Sequence, residues 1–222
     1  MQPGSRKKDL NTFVDKVALP AWNRMGIKPV GVFTSFIGPD SLNLFVVLPH
    51  KNFESVVSTF SNLQNDMEYQ KSGEEYLNTP QDKPLYTRMN SSLLRAFPKF
   101  PQIQIPKAAA SNSSRIFELR VYESHSEKAR QTKIDQFCIG STIDIFHKAG
   151  MRSVFYGETI IGNNQPSLYY MLAFEDLDDL EDSWARFRAQ PEWLKLSKEP
   201  RFANTVSHST KWFLNPAPYS QL

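Results

Sequence analysis

"MGIKPVGVFTSFIG" (25–38) and "AGMRSVFYGETIIG" (149–162) lie 124 positions apart, and reading one over the other decides the fold. Gly26 falls on Gly150, and Gly38 on Gly162. With no gap, Phe45 then meets Tyr169, Leu48 meets Leu172, Phe60 meets Trp184, and "DMEYQK" (66–71) meets "QPEWLK" (190–195). Glycines, aromatic size and register agree over a long stretch, which is the signature of one module used twice.

The module reads most clearly in its second copy. "FELRVYE" (117–123) alternates Phe117, Leu119 and Val121 with Glu118, Arg120 and Tyr122, the period-2 pattern of a half-buried strand. Ile134, Phe137, Ser141 and Ile145 then recur at helical spacing, with Ser126 as N-cap and Gly150 at C′, which predicts one helix between them. "RSVFYGETIIG" and "SLYYMLAFE" are strand runs divided by the turn cluster "GNNQP". The acidic start of "DLDDLEDSWARFRAQ" suits a helix N-terminus, and "TVSHSTKWFL" closes the unit. The resulting order, βαββαβ, is ferredoxin-like and places the chain in the α+β class.

The first copy follows the same plan. A helix over 9–25 carries Leu10, Phe13, Val14 and Val17 on its inner face, with Pro20 kinking or restarting it. Strands near 30–37 and 42–48, a helix near 53–65 and a last strand within 86–97 follow, with 72–86 read as a loop extension. The modules span 1–98 and 115–217, and the Pro, Ala and Ser of 99–114 form the linker. The first copy lacks one element. Subtracting the offset from 117–124 places its opening strand before Met1, so the first module is expected to be without it, through trimming of the chain. That strand is central in this fold, and its absence invites a strand from a neighbour.

Composition narrows the function classes. A net charge of +3 without a basic stripe excludes an electrostatic nucleic-acid footprint. A single cysteine, Cys138, excludes an internal disulfide framework. No run approaches the ~18 apolar residues of a membrane span. "MQPGSRKKDL" has no secretory h-region, so the chain reads as soluble, whether cytoplasmic or exported behind a leader since removed.

Several stretches together carry a family resemblance. "FELRVYE" with the helix after it, "HKAGMRSVFYGE" and "QPEWLK" resemble the NIPSNAP family, and "ALPAWNRMGIKPVGVF" is similar to its bacterial two-module members. The likeness covers roughly 8–217; it departs at the absent strand and at "DMEYQK". It implies dimeric α/β-barrel modules, whose open sheet faces close one barrel, here a pseudo-dimeric one within a single chain. It implies no fixed chemistry. Barrels of this type include heme-binding proteins, cofactor-free monooxygenases and small-ring isomerases, while NIPSNAP proteins of animals are known in trafficking and signalling.

Two constellations could carry chemistry. If Leu119 and Val121 face the helices, Glu118, Arg120 and Tyr122 point into the barrel, where an Arg beside a Tyr could bind a carboxylate or polarise a carbonyl. Tyr156, Glu158 and Tyr170, on adjacent strands, could line the same ligand cavity as an aromatic box. Ion pairing within the triplet and aromatic packing are the plainer roles for both. His50, His125, His147 and His208 are dispersed and form no metal motif. Cys138 reads as a packing thiol, and the acidic run 175–182 as a helix start rather than a calcium loop. The leading function is a non-enzymatic binding or protein-interaction module with a small-ligand cavity between the sheets. Two alternatives stay open: a cofactor-independent monooxygenase or isomerase of a small aromatic or carbonyl compound, with Arg120, Tyr122, Tyr156 and Glu158 around it, and a heme protein using an axial histidine such as His147. No cofactor is expected, heme being the one kept open. The expected partners are a protein or a second copy, and a small apolar or aromatic ligand.

Overall fold

The computed structural model describes residues 5–39, 43–105 and 115–222. They form a mixed α/β fold whose seven strands are hydrogen-bonded in the order β2-β1-β7-β4-β6-β5-β3. These are β1 Gly31–Ile37, β2 Leu44–Val47, β3 Leu93–Ala96, β4 Ile116–Glu123, β5 Arg152–Ile161, β6 Ser167–Phe174 and β7 His208–Pro216. Compactness divides the chain less simply than the repeat does. One unit comprises Met1–Phe33, Leu42–Met89 and Ala217–Leu222; the other comprises Thr34–Ser41 and Asn90–Pro216, and so includes β3.

In the second unit, β7-β4-β6-β5 is the ferredoxin-like order, and β4 is paired along both edges. Arg120 stands opposite Tyr170 on one side and Lys211 on the other, both antiparallel. β5 pairs antiparallel with β6, setting Tyr156 against Tyr170, and with β3, setting Glu158 against Arg95. The helical segment after β4 is broken, where the periodicity predicts one helix. α5 (Glu127–Cys138) starts as expected, with Ser126 Oγ accepting from the Ala129 N–H at 3.2 Å. Ser141 then takes a left-handed conformation, φ 65°, and α6 (Thr142–Lys148) sets off afresh. The break leaves the Gln136 carbonyl free to accept from Thr142 Oγ1 at 2.9 Å. α7 (Leu177–Ala189), capped by Asp176, and α8 (Pro191–Leu196) complete the unit. Its core gathers Phe137, Phe146, Tyr156, Tyr170, Leu172 and Phe187.

In the first unit a helical stretch runs from Ser5 to Arg24 in three pieces: α1 (Ser5–Phe13), a π-helical turn (Val14–Ala18) and α2 (Leu19–Arg24). Pro20 explains the wide turn, since it brings no N–H for a carbonyl one turn earlier. α3 (Phe53–Asn65) falls where the sequence puts it. α4 (Met67–Leu77) corrects the expected loop over 72–86, because its first residues continue a helix capped by Asp66, whose Oδ1 accepts from the Tyr69 N–H at 2.9 Å. Val14, Ile27, Val30 and Val32 centre the core. The Ala217 and Gln221 N–H groups donate to the Val32 and Val30 carbonyls, at 2.8 and 2.9 Å.

The repeated glycines divide by cause. Gly26 and Gly150 (φ 77° and 85°) end helices in the left-handed region, with room around them. Gly38 and Gly162 have no room: a Cβ at Gly38 would lie 2.7 Å from the Trp212 ring, and one at Gly162 would lie 2.5 Å from Ser92 Oγ. Chemical denaturation should therefore show Gly162→Ala costing about 2–3 kcal/mol and Gly150→Ala about 1 kcal/mol. Equal costs would contradict this division.

Candidate functional site

Hydrogen bonds join four of the six residues singled out by sequence. Glu118 Oε1 accepts from Arg120 Nε at 2.8 Å and pairs with the other side of the guanidinium at 2.7 Å. Its second oxygen accepts from Trp184 Nε1 of α7, also at 2.7 Å. The Arg120 guanidinium lies over the Trp184 ring, 3.9 Å from its centroid. It also donates weakly to the Tyr122 hydroxyl (3.5 Å), which shares a 2.9 Å hydrogen bond with the Tyr170 hydroxyl. Tyr156 joins through its ring, stacked on Tyr170 at 5.8 Å, while its own hydroxyl bonds Ser153 Oγ at 2.6 Å. Ser153 Oγ in turn meets His147 Nε2 at 3.0 Å. Glu158 stands apart, held by Arg95 at 2.6 Å and Arg130 at 3.5 Å.

The orientation corrects the sequence reading. Glu118, Arg120 and Tyr122 share the strand face that meets the helices: Trp184 of α7 bonds Glu118, and Phe137 of α5 packs against Tyr122. Leu119 and Val121 take the opposite face, and they too are buried. With both faces covered, alternation alone carries no information about which one meets the helices. Polar groups can occupy the helix-facing side because each finds its partner there.

Burial governs the electrostatics. Glu118 is 1% exposed and Tyr170 0%. Burial pushes the Tyr156 and Tyr170 phenols upward, Tyr170 further through Tyr122 beside it. For Arg120 burial disfavours the cation, but the oxygens of Tyr170, Glu118 and Tyr122 more than offset this, and its pKa rises. Burial lowers His147. It also lowers Lys133 of α5 to about 8; that amine donates to Gln136 Oε1 at 2.7 Å and sits 5.4 Å from the centroid of the Tyr122 ring. Lys133 and the polar role of Trp184 were missed from sequence. The second left a signal, since an indole N–H stands where the first copy has Phe60.

Two surface cavities lie away from these residues. One of about 280 Å³ opens in the first unit beside Met25, Ile27, Ser55, Thr59 and Asn62. In the second unit Arg186 stands at the position of Asn62 and donates to the Ala149 carbonyl (2.9 Å) and Ser183 Oγ (2.7 Å), the places of Met25 and Thr59. The other, about 480 Å³, lies between α6 and α8 near Ser141, Asp144, Lys148 and Lys195. Among the described residues no three His, Cys, Asp or Glu side chains converge as a metal site. No helix among them is long and apolar enough to cross a membrane.

Residues 117–221 match the model of the NIPSNAP family. Residues 117–221 form a NIPSNAP-family module. A NIPSNAP-like domain protein from Burkholderia xenovorans is 24% identical over 49% of this chain and 90% of its own, with a TM-score of 0.42. A NIPSNAP family protein from Agrobacterium tumefaciens is 21% identical over 49% and 98%, with a TM-score of 0.43. A candidate monooxygenase from Fusobacterium nucleatum, at 11% identity, spans 96% of this chain and 87% of its own with a TM-score of 0.58. That likeness extends over both copies and is one of fold. No curated protein matches.

Two predictions follow from the NIPSNAP core. Arg120→Met leaves a buried carboxylate without its ion partner and should cost about 3–5 kcal/mol in urea denaturation, whereas the double variant Glu118→Leu/Arg120→Met should cost less than that single change. A larger cost for the double variant would refute the coupling. Lys133 supplies a pH test. Below about pH 8 both folded and unfolded chains hold its proton, and the cost of burying the charge is felt in full. Between there and the ordinary lysine value of about 10.4 the unfolded chain binds more protons, so stability should rise with pH. Lys133→Met should abolish that rise, measured as wild type minus variant across the window.

Proposed function

We propose that this NIPSNAP protein is a non-enzymatic module acting through protein–protein association, with self-association or a protein partner as its mode of work. The observation that carries this reading is the mutual satisfaction of the side chains from which a catalytic centre would be built. Both Glu118 oxygens are engaged, by Arg120 and Trp184. The Tyr122 and Tyr170 hydroxyls are engaged with each other, and Tyr156 with Ser153. A catalytic acid, base or oxyanion donor needs an open side toward its substrate, and these groups turn theirs inward. His147, the residue considered for heme, is likewise taken up by Ser153 and lies beside the Phe100 ring.

Titration with hemin, followed by absorbance, tests this directly, together with a thermal-shift panel of small aromatic and carbonyl compounds. The expected result is no stoichiometric hemin spectrum and no saturable rise in Tm. A one-to-one complex lost in Tyr122→Phe or Arg120→Lys would overturn the reading in favour of a ligand or substrate site.

A further inference from the structure

The two copies of the module offer an internal control, because corresponding side chains can be compared 124 positions apart. In the second unit Leu180 and Phe187 of α7 are 7% and 3% exposed, and Trp184 between them bonds Glu118 and stacks on Arg120 of β4. Their counterparts on α3 are Val56, Leu63 and Phe60. Phe60 is 71% exposed, Val56 and Leu63 are only partly covered, and α3 has no buried residue. Strands show the same contrast. Leu168, Tyr170 and Met171 of β6 are fully buried, whereas of their counterparts Leu44, Val46 and Val47 on β2, Val46 is 38% exposed and none is buried. Around the strand that follows the first helix the copies agree. Ile27, Val30 and Val32 are as deeply buried as Met151, Val154 and Tyr156. Phe13, Leu19 and Trp22 of the first helix are also less covered than Phe137, Ile143 and Phe146, but whole-element exposure falls on α3 and β2, whose counterparts bond Glu118 through Trp184 and pair with β4.

We propose that the α3–β2 face of the first unit is a receptor for one extended strand of the β4 pattern, pairing antiparallel with β2 and laying its aromatic and polar side under Val56, Phe60 and Leu63. The chemistry of the occupant follows from the repeat: a segment alternating like Phe117–Glu123, supplying main-chain hydrogen bonds to the β2 edge and side chains to the helix. Area argues against a globular partner or a second copy seated on the same face. Phe60 and Val46 with their partly covered neighbours expose on the order of 300 Å² of apolar surface, well under the roughly 800 Å² per partner of a stable protein pair. A strand needs less side-chain area because the backbone supplies much of its affinity. The Phe60 ring carries no N–H, so the occupant's counterpart of Glu118 would take its partner from its own Arg120-like neighbour. This inference rests on the interaction reading above and names what the interaction takes hold of.

The test uses the full chain and a synthetic peptide of residues 115–124, RIFELRVYES, carrying a short polar tag for solubility. Calorimetry should give one-to-one binding in the micromolar range, and amide exchange should slow in Leu44–Val47 and in α3. Phe60→Asp, a change at an exposed position that leaves the fold intact, should weaken binding at least tenfold, and a scrambled peptide should not bind. Absence of binding, protection confined to the second unit, or concentration-dependent dimerisation abolished by Phe60→Asp would each overturn strand docking. The hemin and small-molecule titrations are independent of these outcomes, so loss of strand docking is distinguishable from loss of the broader interaction reading.

Discussion

Everything in the second unit leans on β4. It is paired along both edges, to β6 and β7, and its side chains are covered on both faces. That position carries an electrostatic difficulty, because Glu118 is a carboxylate with almost no exposure. Leaving such a charge without compensation would cost several kcal/mol. Arg120 on the same strand and Trp184 on α7 resolve it together, the first by two short contacts to one oxygen and the second by a hydrogen bond to the other. The arrangement also fixes where α7 sits, since the indole must reach the carboxylate while its ring supports the guanidinium. Strand, helix and charge pair thus specify one another.

Tyr170 extends that constraint sideways. Its ring contacts Tyr122, Phe137, Phe146 and Tyr156, and its hydroxyl is tied to Tyr122. In an apolar surrounding burial raises the Tyr156 and Tyr170 phenols above their ordinary range, so both keep their protons for hydrogen bonding across the physiological span. Groups that would look reactive in a list of residues thereby become structural when every donor and acceptor is used.

Much of this was legible in the sequence, and the parts that were not share a reason. The strand runs, the cap at Ser126 and the acidic helix start at 175–182 depend on local pattern, and each stands where the pattern puts it. The helix break at Ser141 depends on which carbonyl gains a side-chain donor, and periodicity does not record that. α4 was hidden because "SGEEYL" carries a glycine and a serine that count against a helix, outweighed here by the Asp66 cap, which also binds Arg24 from another helix. Of the six candidate cavity residues, Glu118, Arg120, Tyr122 and Tyr170 are joined by hydrogen bonds, Tyr156 stacks on Tyr170, and Glu158 stands apart in its own ion pairs. Which face of β4 meets the helices could not be read, because a strand buried on both faces alternates without preferring either. Charge pairs within the triplet were the better guide, and the indole at Trp184 was the clue left unused.

A β4-type strand is what buries its module's second helix and the strand beside it. Hydrogen–deuterium exchange on the chain alone tests it most directly, comparing segments 124 positions apart. Amides of α3 and of β2 should exchange at least ten times faster than those of α7 and β6, while the segments around Val30–Val32 and Val154–Tyr156 are protected alike. Equal protection of α3 and α7 would contradict it.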